Sequence, residues 1–144
     1  MDVLNGSTLL DALKRCDEYP YIDVCIALSN MWDTQELIDG LHNEIRANRL
    51  NGWKIDRGMT RGKAVFQSAR NSHIYILNAQ NPELLRGYRL HWVLFEDGIG
   101  EDAFEALSCM ECLTAPWERV SDSTELDDFL CSFKIVPNMN LVRK

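Results

Sequence analysis

The residues best placed to do chemistry are Glu96 and Asp97, adjacent carboxylates that close an apolar run and precede Gly98. The run before them, residues 90–95, reads Leu-His-Trp-Val-Leu-Phe. It lacks the alternation of a strand wetted on one face, so it predicts a strand buried on both. Open α/β sheets build binding sites where such strands deliver polar residues to their C-terminal edge. The plainer reading of the pair is a solvated strand end. A second candidate is Cys109-Met-Glu-Cys112, which has the spacing of metal and redox sites. A zinc site needs a second pair, and Cys16, Cys25 and Cys131 stand alone. A redox pair belongs at a helix start after a strand, so buried thiols are expected instead. A third is the basic window of Lys54, Arg57, Arg61, Lys63 and Arg70, followed by Arg86 and Arg89. Clustered cations suit a phosphate backbone, and Trp53 beside them is the indole placed to stack on a base. Without a stacking role, Trp53 is core and the window is a solvated hairpin. His42 reads as a half-exposed helix residue.

These residues need a scaffold, and the apolar pattern supplies one. Residues 21–28 and 74–77 are short β-branched runs and read as strands, the first of them central. Leu9, Leu10, Leu13 and Cys16 fall on one helical face after Ser7 or Thr8 as cap, and Pro20 stops the helix. Leu37, Ile38, Leu41 and Ile45 make the stripe of a helix over about 34–50, capped by Asp33 or Thr34 and ended by Asn51-Gly52. The stretch 53–66 predicts a hairpin, with 64–66 pairing onto 74–77 across the turn at 69–72. Residues 78–87 form a loop with a single helical turn at 83–85. A helix follows over 101–113 with Phe104, Leu107 and either Met110 or Cys112 inward, then a short helix over 125–133. Residues 134–136 make an edge strand before a polar tail to 144. The order predicts one compact α/β domain over 1–144, a small three-layer sheet with flanking helices, mixed strand directions allowed.

With 144 residues the chain can bury a real core. Its net charge of −7 disfavours general binding to nucleic acid, which needs an excess of cations. The acids gather in 96–111 and 118–128, away from the basic window, so a dipolar surface is expected. No apolar run approaches the roughly 20 residues of a membrane span, and Met1 to Thr8 lacks the basic start of a secretory signal. Five cysteines without such a signal predict reduced thiols and a cytoplasmic location.

Three short motifs resemble the ATPase domain of phage terminase large subunits. Residues 66–74, Phe-Gln-Ser-Ala-Arg-Asn-Ser-His-Ile, resemble that family's "Phe … Asn-Gly-Ser-x-Ile" strand pair. Residues 78–87, Asn-Ala-Gln-Asn-Pro-Glu-Leu-Leu-Arg-Gly, are similar to its "Ala-Asn-Pro-Glu-x-x-Arg-Gly" loop. Residues 92–97 are similar to its Walker B strand, four apolar residues and two acids. The resemblance covers about 21–107 and implies a RecA-like, P-loop-like core. It makes Glu96 the acid that holds Mg²⁺ through water, Asp97 the catalytic carboxylate, and Arg86 a backbone-positioning or nucleotide-sensing group, where the plainer reading is a solvated arginine before a turn glycine. Mg-ATP is the one cofactor it implies. The family's order is Asp then Glu, so the pair is swapped here.

The larger departure is the phosphate loop, G-x-x-x-x-G-K-[ST]. Asn5-Gly6-Ser7-Thr8 before a helix is similar to its tail, with Ser7 and Thr8 as nucleotide contacts, but has no lysine and no preceding strand. Gly58-Met-Thr-Arg-Gly-Lys63-Ala64 is one residue short and ends in Ala where a hydroxyl is needed. Efficient ATP hydrolysis is therefore not expected. The leading expectation is a degenerate terminase-like protein, phage-derived, in the host cytoplasm, acting through a protein partner or a nucleotide, with nucleic acid meeting the 54–70 window. Two alternatives stand beside it: an acidic decoy that occupies the basic groove of a nucleic-acid enzyme, and a nucleotide-binding subunit that borrows its phosphate loop from another chain.

Overall fold

The computed structural model describes residues 1–57, 62–80, 85 and 87–117. The elements expected at 125–133 and 134–136 lie outside the described residues, as do Arg61, Arg86 and the acids of 118–128. So does the turn expected at 83–85, apart from Leu85.

β2 (Asp23–Leu28) is the axis of the sheet. It is buried from Val24 onward because parallel strands flank it on both sides: β5 (His73–Asn78) pairs along its whole length, and β6 (Trp92–Phe95) along four residues. Beyond β6 lies β1 (Asp2–Val3), also parallel. Beyond β5 the direction reverses in β4 (Lys63–Gln67) and again in β3 (Lys54–Asp56), giving the order β1-β6-β2-β5-β4-β3. The chain is thus an α/β fold with a six-stranded, mixed, mostly parallel sheet and three helices among the described residues.

The helices cover both faces. α1 (Gly6–Glu18) and α2 (Met31–Arg46) pack Leu9, Leu13, Leu37, Ile38 and Leu41 against Val24, Ile26, Ile74, Ile76 and Leu94. α3 (Glu101–Met110) packs Ala103, Leu107 and Met110 against Cys25, Ala27 and Val93, which point the other way from the same strands. Alternate strand residues therefore feed two separate cores, as a sheet between helical layers requires.

Several boundaries differ from the sequence expectation. β2 begins at Asp23 because Tyr21 turns through φ +57. α1 is capped by Asn5, not by Ser7 or Thr8. Asn5 Oδ1 accepts from the Thr8 amide at 3.0 Å, and Thr8 Oγ1 accepts from the Asn5 amide at 2.9 Å. This reciprocal box satisfies two orphan donors at once. α2 starts three residues early because Asn30 caps it, accepting from the Asp33 amide at 2.8 Å. It ends at Arg46, where Asn48 enters the left-handed region at φ +62. Gly52 (φ +80) then brings the chain so close to Ala69 that an added Cβ would lie 2.9 Å from that methyl. α3 stops at Met110, and Phe104 is not inward: it is 44% exposed and meets only the edge of Phe95, ring centroids 5.2 Å apart.

Candidate functional site

The C-terminal edge of the parallel strands gathers the site residues. β2 runs into Ser29-Asn30 and directly into α2. Beside it, the Glu96 amide donates to Ala27 O at 2.9 Å, which continues the ladder one residue past β6. That bond fixes the Glu96 side chain under the β2–α2 joint. Its Oε1 accepts from the Ser29 amide at 3.1 Å and also from the Ser29 hydroxyl. Glu96 is buried, and its Oε2 has no partner among the described residues. Asp97 is different. It lies in an exposed turn whose next residue, Gly98, takes φ +94. The two acids that look alike in sequence therefore part company, one sealed and bonded, the other in solvent.

A cavity of about 570 Å³ opens alongside, lined by Ser29, Ala79, Gln80, Gly98, Glu101 and Asp102 among others. Glu101 and Asp102 occupy the first turn of α3, the positive end of its dipole. The cavity is acidic on that side and does not suit a bare phosphate. The N-terminus of α2 is capped as well. Asn30 Oδ1 takes the Asp33 amide, Asn30 O takes the Thr34 amide at 3.2 Å, and the buried Asp33 carboxylate accepts from Asn30 Nδ2 at 2.8 Å. A helix end binds anions through free amides and its dipole. Here the Asp33 amide is used by the cap, and the Asp33 carboxylate puts a negative charge at the same helix end.

The magnesium role implied by the family resemblance fits poorly. Glu96 Oε1 is taken up by Ser29, and only its buried Oε2 is left without a partner among the described residues. The Ser29 hydroxyl is spent on Oε1. Among the described residues no group of three His, Cys, Asp or Glu is placed to hold a metal ion.

The remaining candidates scatter. Thr8 is buried in the α1 cap and also donates to Val3 O at 2.8 Å, so it is committed to structure, while Ser7 is exposed on the same turn. A strand does precede them: β1, which two residues were too few to announce. Trp53 is not a stacking platform. It is 5% exposed in the core, and its indole N–H donates to Asp17 Oδ1 at 3.0 Å. The basic window does not converge. Arg57 pairs with Asp39 at 2.6 Å on the α2 side. Lys63 lies at the other end of β4 from Gln67, about 13 Å away at the rise of an extended strand, with its ammonium 5.8 Å from the Tyr88 ring. Arg70 sits in the β4–β5 turn beyond Gln67, Lys54 is exposed on β3, and Arg89 is exposed before β6. His42 is half-buried and meets Arg57 at 3.3 Å.

Cys109 and Cys112 are exposed, against the expectation of buried thiols, because α3 ends between them. Cys16 and Cys25 are buried. Burial pushes the Cys25 thiol up to about 12 and raises Cys16 as well, which also faces the carboxylates of Asp23 and Asp17. Iodoacetamide near neutral pH should therefore label Cys109 and Cys112 in the folded protein and spare Cys16 and Cys25 until denaturant is added, as read by peptide mapping. Labelling of Cys25 at the same rate as Cys109 would contradict the burial.

Ser29 and Asn30 read from sequence only as a turn, and Asp33 only as a helix cap; the structure brings all three to the site. Their one signal was position, at the joint where a central strand feeds a helix. Comparison of the chain with protein-family models, with curated proteins and with solved structures finds no match.

Proposed function

We propose that this chain is a degenerate terminase-like ATPase-fold protein, phage-derived, that has given up phosphate chemistry and acts by binding a protein partner. The observation that carries the reading is the β2–α2 joint. In P-loop enzymes a loop hydroxyl and the acid after the neighbouring strand share one Mg²⁺. Ser29 and Glu96 stand in those two relative positions and bond directly to each other instead. The phosphate loop between strand and helix is reduced to two residues, and Asn30 with Asp33 blocks the helix end behind it. The chain order of the β4–β5 pair, the 78–87 sequence motif and β6 with its acids supports the kinship with packaging motors. The RecA-like core is part of this proposal. Phosphate release from Mg-ATP is expected to match a protein-free blank. Turnover that falls on Glu96→Ala would overturn the reading in favour of the nucleotide-binding alternative.

The decoy reading keeps one observation of its own. Asp97, Glu101, Asp102 and Glu105 are exposed together at the β6–α3 corner, and no ion pair engages them among the described residues. Binding through that corner would weaken steeply with salt, and salt-insensitive partner binding would remove it.

A further inference from the structure

The first turn of α2 carries a second feature on its outer side. Trp32 is 71% exposed and Met31 is 41% exposed, on a fold whose other described tryptophans are buried or packed. The two line a groove of about 470 Å³ with Gln35, Glu36 and Asp39. Its far wall is held rigidly. Gln35 Oε1 accepts from the Gly62 amide at 3.2 Å, Gln35 Nε2 donates to Asp39 at 3.1 Å, and Arg57 clamps Asp39 at 2.6 Å. Met31 lies over Gly62 closely enough to leave no room for a Cβ there. Glu36 is the exception. It is half-buried, one helical turn from Trp32, and has no hydrogen bond or ion pair among the described residues.

We infer that this groove is the docking surface for a partner segment that presents an arginine, its guanidinium laid on the Trp32 indole and forked to the Glu36 carboxylate. The inference rests on the protein-binding reading above and names the partner's chemistry. Three observations carry it. An exposed tryptophan in a pinned groove has the form of an interface anchor. The group beside it with no partner among the described residues is an anion, on a chain of net charge −7, so the complementary occupant is cationic. Arginine, unlike lysine, both stacks on a ring and meets a carboxylate with two parallel bonds. The chain already builds the stacked half of this geometry inside itself: Arg15 lies 4.4 Å from the Trp92 ring and 4.7 Å from the Trp117 ring.

The test is calorimetric titration of the whole chain with oligo-arginine, oligo-lysine and AMP, with circular dichroism to check each variant's fold. Oligo-arginine is expected to bind more tightly than oligo-lysine. Trp32→Ala should weaken it about tenfold, the scale of a partly desolvated cation–π contact. Glu36→Gln should weaken it about threefold and flatten the salt dependence. Glu105→Gln removes the same charge from the opposite layer and should change little. Equal binding of the two cationic peptides, or equal losses from Glu36→Gln and Glu105→Gln, would reduce the effect to net charge and overturn the proposal. AMP binding abolished by Trp32→Ala would make the groove a base-stacking site instead. Self-association lost in Trp32→Ala would assign it to a second copy. None of these outcomes depends on whether Mg-ATP is hydrolysed, so this inference and the loss of phosphate chemistry fail separately.

Discussion

Glu96→Ala is expected to lower stability by about 3 kcal/mol, while Asp97→Ala beside it stays within about 0.5 kcal/mol. The asymmetry follows from the β6 ladder. Glu96 is the last residue held to β2, through its amide bond to Ala27 O, and that bond turns its side chain inward to meet both donors of Ser29. Removing the carboxylate takes the acceptor from the half-buried Ser29 amide and hydroxyl and empties the space that the buried Glu96 side chain filled. Hydrogen bonds to a charged acceptor are worth about 1.5–3 kcal/mol each, and repacking or water entry returns part of that. Glu96→Gln keeps the Oε1 acceptor and should cost about 1 kcal/mol. Asp97 is exposed and no described residue bonds its side chain, so its removal takes away nothing that folding made. Thermal unfolding separates the cases: a loss of 3 kcal/mol in a domain of this size moves the midpoint by roughly 6–12 °C. Equal shifts for the two alanine variants would mean that the acids act as a pair, which the geometry denies.

Arg15→Ala is the second large effect, also about 3 kcal/mol. Arg15 lies in the last turns of α1 at 3% exposure, with its guanidinium against both the Trp92 and the Trp117 ring, which also meet edge to face. Trp92 is itself tied by its indole N–H to Asp2 at 2.6 Å, and Trp117 also leans on Tyr19 with centroids 5.9 Å apart. This stack fastens the segment after α3 to the α1 layer, on the far side of the sheet from α3. Each desolvated cation–π contact is worth up to about 2 kcal/mol, and the aliphatic stem adds packing. Arg15→Lys keeps the charge but not the flat stacking surface, and should lose about 2 kcal/mol. Arg15→Met fills much of the volume without a charge to desolvate and should cost less than Ala. If Ala and Met unfold at the same midpoint, packing between the rings contributes nothing. If neither differs from the parent, the stack is not what holds the segment.

Much of this architecture was legible in residue order because it is local. The pairing of 64–66 with 74–77 and the strand at 92–95 came from short β-branched and aromatic runs, and both stand. The burial of Val93 and Leu94 on both sides followed from the lack of alternation. What was not legible is long-range. Ser29 and Glu96 meet across 67 positions, and no periodicity links a serine in a turn to an acid at a strand end. Trp53 looked like a ring for a base because Lys54 and Arg57 follow it. It is fixed instead by Asp17, 36 positions away. β1 has two residues and exists only because β6 offers an unpaired edge. On α3 the inward reading of Leu107 and Met110 stands, whereas Ala103 takes the inward position expected of Phe104, one residue round the helix. The acids Glu96 and Asp97 were read as one motif, and only the turn at Gly98 separates them.

The Asn30 cap and the Asp33 carboxylate should together keep phosphate from the helix end that faces the strand edge. Thermal unfolding with and without saturating Mg-ATP tests it most directly. A ligand at about 100 times its Kd stabilises by about 2.7 kcal/mol, roughly 5–11 °C here. The account predicts an unchanged midpoint. A rise of that size, abolished by Glu96→Gln but not by Trp32→Ala, would contradict it.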